Sequence, residues 1–400
     1  MEATKHAKDF LNERINSKPQ HYKLEMFDGM ISVHDMETQA HAKIQIERAL
    51  HSEMQNTYQL TDHQVKNVIV LHAPTFSSED ASDSMLALLS YFALRQARIM
   101  GCEHAIQEIS NHPSSIEMRK IIHLESLSHS PALYAQKINY AMYHAYNHCT
   151  QLQRDFIRHH FAHEILDTFH SWVLHLFQES WFTAVKTRTL SKEQYVSTLF
   201  NLHAFVKHTT RLAARCVAVC DSRELRNHYI NHLKGEINHE VIIESDLKGL
   251  HADTDYLIHH YVPAAATAEF IVLQESIVAF RQDAVMMLAC PFVAEGMTAN
   301  ISSRFVTDLH ATIQSWGVKS PESVSRFLTS HMKTDGGDDG HWIRVIMMMD
   351  KYIHTEQHMQ QFLNVLKLAM NGYAHGLNAN IDDMGLWESV KMPVNETVSP

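Results

Sequence analysis

Glycine and proline are scarce in this chain, at 12 and 9 residues of 400. Both interrupt helices, so their scarcity excludes a loop-rich or collagen-like protein and favours long helices. Cysteine occurs five times, an odd number, and never as Cys-x-x-Cys. That excludes a disulfide framework and a thiolate zinc knot. Cys216 and Cys220, four apart on an expected helix, read as small buried hydrophobes. No apolar run reaches the length of a membrane span, so no membrane partner is expected. The N-terminal MEATKHAKDFLNERINSK has no apolar core; a secretory signal is therefore not expected, and a cytoplasmic location is. Positive charge is short as well. The net charge is −11 with histidine neutral, which argues against a nucleic-acid partner.

What the chain has in plenty is histidine, at 32 residues, beside a hydrophobic content of 45% that supplies a sizeable core. Four hundred residues exceed one ordinary core, so more than one unit is expected. With this much histidine, pairs at helical spacing arise by chance. A site must therefore show carboxylates too, and matching partners from several segments.

Along the chain, residues 1–150 read as a mainly helical extension. IQIERALHSEMQ has helical spacing, VKNVIVLHAP fits a strand or a short buried helix, and SMLALLSYFALRQARIMGCEHAIQEIS fits one helix. ALYAQKINYAMYHAYNHCTQLQRDFIRHHF reads as another. The role of this extension is not legible; dimerisation is the expectation. Residues 151–380 read as an all-helical domain. FAHEILDTFHSWVLHLFQESWFTAVK forms its first helix and SKEQYVSTLFNLHAFVKHTTRLAARCVAV its second, opened by a Ser-x-x-Gln cap at Ser191. DSRELRNHYINHLKGEINHEVIIESDLKGL forms a third. ATAEFIVLQESIVAFRQDAVMMLACPFVAEGMTANI follows, broken or bent at Pro291. Residues 381–400 read as a loosely ordered tail.

Three segments carry chemistry. On the third helix His232, Glu236 and His239 stand at i, i+4 and i+7, one face, with His228 a turn earlier. A buried carboxylate on such a face needs partners; a solvated polar stripe is the bland alternative. Glu295 is the lone charge in ACPFVAEGMTANI, and stands either near water at a helix end or bound to something. His331 and Asp335 are i, i+4 in HMKTDGGDDGH, and His341 follows the glycines. There the bland alternative is a polar turn in which Asp338 and Asp339 cap the next helix. Imidazole plus carboxylate without thiolate suits iron or manganese better than structural zinc. Glu/His sets from facing helices are how helical bundles build dinuclear sites.

Taken in order, LRNHYINHLKGEINHEVIIESDLKGL, FVAEGMTANI and FLTSHMKTDGGDDGHW resemble the ligand segments of the heme-oxygenase-like diiron oxidase and oxygenase superfamily, over about residues 155–378. The resemblance implies a heme-oxygenase-like all-α bundle. It implies a site of Glu236, His239, Glu295, His331, Asp335 and His341. His341 stands six residues after Asp335, where the family has three. His232 and His203 occupy two further ligand positions at which the family carries a carboxylate. Glu236 and Glu295 would bridge the metals. The cofactor implied is Fe(II)/Fe(III), two per chain, with O2 as co-substrate, a small organic substrate, an electron donor and a homodimer. The activity implied is N-oxygenation, desaturation or oxidative cleavage. Phe205, Phe292 and Phe327 are candidate pocket walls. Two alternatives belong to the same fold. One is a metal-free or heme-handling enzyme, for which His163, His170 or His175 would be the proximal ligand. The other is a non-catalytic binding or scaffold protein.

Overall fold

The computed structural model describes residues 2–16, 21–49, 68–108, 111–127, 130–337 and 340–382. The chain divides into two compact units. One comprises Glu13–Phe161 and His354–Gln357; the other comprises Met1–Asn12, Ala162–Ile353 and His358–Pro400.

The expected helical extension is corrected by the first unit, which is α/β. After helix α1 (Glu2–Asn16), whose residues up to Asn12 belong to the other unit, come strands β1 (Tyr22–Phe27), β2 (Met30–Asp35), β3 (His41–Ala49), β4 (Val68–Leu71) and β5 (Thr75–Phe76). Helix α2 (Glu79–Ile99), β6 (His104–Glu108), α3 (Pro113–Ile121), β7 (Glu125–Leu127), β8 (Ser130–Lys137) and α4 (Ile138–His148) follow. The eight strands form one sheet in the order β1-β2-β3-β4-β6-β8-β7, with β5 beside β3. β4 and β6 are parallel, joined by a crossover through α2; the other pairs are antiparallel.

The misread segments show why. In β3, Ala42, Ile44 and Ile46 are buried while Lys43 and Glu47 face outward, a period of two. Its Lys, Gln, Glu and Arg are good helix formers, and propensity mimicked a helix where tertiary pairing decides. The helix expected over 84–110 stops at Ile99, and EHAIQE turns into β6. ALYAQK is the end of β8.

The second unit is all-α, as expected. Helix α5 (Gln151–Leu176) leads to α6 (Ser180–Lys186), α7 (Lys192–Val219), α8 (Arg223–Glu236), α9 (His239–Gly249), α10 (Thr254–His259) and α11 (Ala265–Glu275). A π-turn at Ser276–Phe280 and a short 3-10 turn precede α12 (Ala289–Ala299), which carries Pro291 in its first turn, where the missing N–H costs nothing. Helices α13 (Ser303–Ser315), α14 (Arg326–Asp335), α15 (His341–Tyr352) and α16 (Glu356–Asp382) complete it. The cap at Ser191 forms in full: Gln194 N–H donates to Ser191 Oγ at 3.1 Å, and Ser191 N–H to Gln194 Oε1 at 2.8 Å.

Two expected helices are each two. The first is interrupted between α5 and α6. The third breaks between α8 and α9, where Asn238 sits in the left-handed region at φ 68°. Asparagine is among the few residues that tolerate that conformation.

Asp246 on α9 is fully buried. It accepts from the Phe327 backbone N–H at 2.9 Å and from Arg326 Nε at 3.2 Å, pinning α9 to the start of α14. Asp246→Ala leaves that N–H without its acceptor and is expected to destabilise the protein by about 2 kcal/mol in urea titration. An unchanged midpoint would show that the pin contributes nothing.

Candidate metal centre

The helix break places Glu236 as the last residue of α8 and His239 as the first of α9. His232 lies one turn before Glu236. α12 contributes Glu295, α14 contributes His331 and Asp335, and α15 opens on His341. Gly340 lies close against Asp335: a Cβ on Gly340 would collide with the carbonyl of Asp335. That close return of the chain sets His341 Nδ1 3.3 Å from Asp335 Oδ1. Asp338 and Asp339, the helix caps of the bland alternative, lie outside the described residues.

The ligand atoms of His232, Glu236 and Glu295 all lie within 4.8 Å of one another. His232 Nδ1 is 3.2 Å from Glu295 Oε1. Glu236 belongs to a second chain of contacts. Its Oε2 is 3.2 Å from His239 Nδ1, which is 3.2 Å from His331 Nε2. One ring nitrogen of His239 thus faces a carboxylate oxygen and a second imidazole nitrogen. His331 Nδ1 is 2.8 Å from the Phe327 carbonyl, so it carries the proton and donates; Nε2 is left with its lone pair toward His239.

The carboxylates are buried: Glu236 is 7% exposed, Glu295 6% and Asp335 2%. Two have hydroxyl donors. Thr209 donates to Glu236 Oε2 at 2.9 Å, and Thr298 to Asp335 Oδ2 at 2.6 Å. Among the described residues Glu295 Oε2 has no donor, whereas Glu295 Oε1 meets His232 Nδ1 and Asp335 Oδ1 meets His341 Nδ1. A buried carboxylate oxygen without a donor is costly, and a bound cation is one way to offset that cost.

Titration follows this geometry. Burial opposes charge on His232, but its hydrogen bond and charge pairing with Glu295 outweigh it and raise the imidazole to about 9. Burial pushes Glu236 up, yet the His239 hydrogen bond and the neighbouring imidazoles hold it well below the usual carboxylate range. Burial raises Glu295. The Asp335 hydrogen bond raises His341. His228 stacks near His232, with ring centroids 6.3 Å apart, and burial lowers it to about 3. It folds neutral, whereas the unfolded chain protonates it near 6.5. Stability from this group is therefore complete above that value and lost as pH falls toward 3. In the metal-free protein His228→Phe should flatten the acid limb, by about 2 kcal/mol at pH 5 relative to pH 7. Parallel acid limbs for the two proteins would refute it.

A cavity of about 760 Å3, its open mouth included, adjoins the cluster. His232, Glu236, Glu295, His331 and Asp335 face it at one end, and apolar side chains such as Leu202, Leu212 and Met287 line the rest. Phe205 and Phe327 are walls, as expected. Phe292 is not; it packs in the core with Phe169 and Trp342.

His203 is the candidate not brought in. It points to Glu244 at 3.2 Å and does not line the cavity. Six residues further along α7, Thr209 makes that helix's contact with the cluster. His163, His170 and His175 do not line the cavity either. Sequence reading missed Thr209 and Thr298. Thr298 was findable, three residues after Glu295 on one helix; Thr209 left no local signal.

No family model matches the chain, and no curated protein matches it. Among solved structures it is similar to a domain of unknown function with a heme oxygenase-like fold from Shewanella denitrificans OS217. The identity is 18% over 56% of this chain and 94% of that one, with a TM-score of 0.49. It is similar to a TenA homolog from Pseudomonas syringae pv. tomato DC3000, at 12% identity, 56% and 93% coverage and TM-score 0.46. A TenA family transcription regulator from Silicibacter sp. TM1040 matches at 14%, 54% and 94%, and 0.39. Likeness at this level assigns no activity. Among the described residues no helix is long and apolar enough to cross a membrane.

Proposed function

We propose that the helical unit is a non-heme iron-dependent oxidase or oxygenase acting on a small organic substrate. The observation that carries this is the His232–Glu236–Glu295 group, whose ligand atoms converge on two buried carboxylates while Glu295 Oε2 has no donor among the described residues. The donor set is imidazole and carboxylate without sulfur, which suits iron. Glu236, shared between that group and the His239–His331 contacts, would hold metal together with Glu295. His232, His239, His331 and His341 would be terminal ligands, with Asp335 beside them. Bound iron would supply O2 reduction and substrate oxidation, using electrons from an external donor.

The chain's own residues prepare the site. The Phe327 carbonyl holds the His331 ring with Nε2 facing inward. Thr209 and Thr298 each hold one oxygen of Glu236 and Asp335, which fixes the orientation of both carboxylates. The apolar lining excludes water from the reacting group and strengthens the field of the cluster.

Purification without oxygen, addition of iron(II), iron quantification and then mixing with O2 tests this. About two irons per chain and a transient visible absorbance are expected. No retained iron and no spectral change would overturn the proposal and leave a metal-free binding protein or enzyme.

A further inference from the structure

Beside the site cavity lies a smaller one of about 360 Å3, its open mouth included, walled by α7, α11 and α16. The two share Leu202, Phe205 and Tyr373. The partition is aromatic: Phe205 and Tyr373 both pack on Phe270, at centroid distances of 5.3 and 6.0 Å.

Most polar side chains of the second chamber are already engaged with protein. Thr198 accepts from Trp181 Nε1 at 2.9 Å and donates to the Gln194 carbonyl. Asn201 donates to Asn380 Oδ1 at 2.7 Å and accepts from the Ala264 N–H at 2.9 Å. Asn380 Nδ2 donates to the carbonyls of Gly376 and Leu377. Apart from the phenol of Tyr373, no ionisable group lines the chamber. Ordered water needs two to four polar partners, so this space suits hydrocarbon better.

Two glycines stand one turn apart on the α16 face, although each weakens a helix relative to alanine. Gly372 has a packing reason, since a Cβ there would approach Phe270 Cδ2 to 3.2 Å. Gly376 has none. The nearest atom to a Cβ there is Thr267 Oγ1, at an ordinary 3.6 Å. What glycine preserves at 376 is open volume.

We propose that the second chamber is a subsite for the apolar tail of the substrate, whose polar end lies at the metal cluster. The substrate class is then a hydrocarbon-tailed small molecule and not a compact, uniformly polar one. The placement of the polar end rests on the iron reading above; the subsite itself stands on the two cavities.

The test is calorimetric titration of a 1-alkanol series, butanol to decanol, into the full-length protein without metal. Wild type should bind about fourfold more tightly per added methylene. Gly376→Leu, which fills the chamber, should leave butanol unchanged and weaken decanol at least tenfold. Thr267→Ile fills it from the opposite wall and guards against a folding defect in the first variant. One length profile shared by all three proteins, or no gain with length in wild type, overturns the subsite. Iron retention measured on the same preparations separates the two ideas. A length-dependent profile that the variants truncate, in a protein that holds no iron, supports the subsite and removes only the metal reading.

Discussion

Glu295→Gln is expected to lower iron affinity by about 100-fold or more while leaving the fold intact. Outer partners of metal ligands already contribute ten- to hundredfold, and a direct ligand contributes more. The fold should tolerate the change because Glu295 has one polar partner, His232 Nδ1 at 3.2 Å from Oε1, and the glutamine amide oxygen can still accept from it. Glutamine keeps the shape and removes the charge. His232 then loses the pairing that raises it and can stay neutral, as burial favours. His203→Ala is the matched control. It disturbs a buried imidazole that faces Glu244, not the cluster, and should leave iron binding within about twofold of wild type. Iron quantification and circular dichroism on both variants decide. Full iron retention by Glu295→Gln would remove Glu295 from the site. Iron loss in His203→Ala would restore the ligand role that its geometry denies.

Gly296→Ala should destabilise the protein by about 2–3 kcal/mol, although alanine is the better helix former. A Cβ at 296 would come within 2.5 Å of Trp342 Nε1 and 2.7 Å of Phe169 Cζ. Both belong to a buried aromatic group with Phe292, with Trp342 only 1% exposed, so neither can move aside cheaply. Because α12 would have to shift, the displacement also reaches the neighbouring Glu295 and should weaken iron binding. Trp342→Phe in the same chain should recover part of the loss, a coupling that independent sites would not show. Thermal unfolding of the two single variants and the double variant measures it. Strict additivity would mean that Trp342 is not what Gly296 accommodates.

The site and the fold were legible to different degrees. His232, Glu236 and Glu295 were visible because helical spacing and a lone carboxylate in an apolar run leave marks within one segment. The structure places them together. Their grouping with His239, His331, Asp335 and His341 needed a family resemblance, since nothing local says which helices face each other. His203 shows the limit. Its helix does reach the cluster, but through Thr209, and a difference of six residues along α7 is invisible without packing.

By itself, the sequence determined that this protein has a long-helix unit, a Ser191 cap, and acid–imidazole faces on separate segments. Each is a matter of periodicity, capping chemistry or composition, all of them local. Tertiary structure alone decided three other things. It made β3 a strand, because pairing with β2 and β4 outweighs the helix propensity of its charged residues. It broke the third helix at Asn238, so that Glu236 and His239 stand at the end of one helix and the start of the next. It brought Gly340 against the Asp335 carbonyl, where only glycine fits, and so His341 beside Asp335. In each case the deciding contact lies between segments, and its energy depends on what packs opposite rather than on the residues themselves.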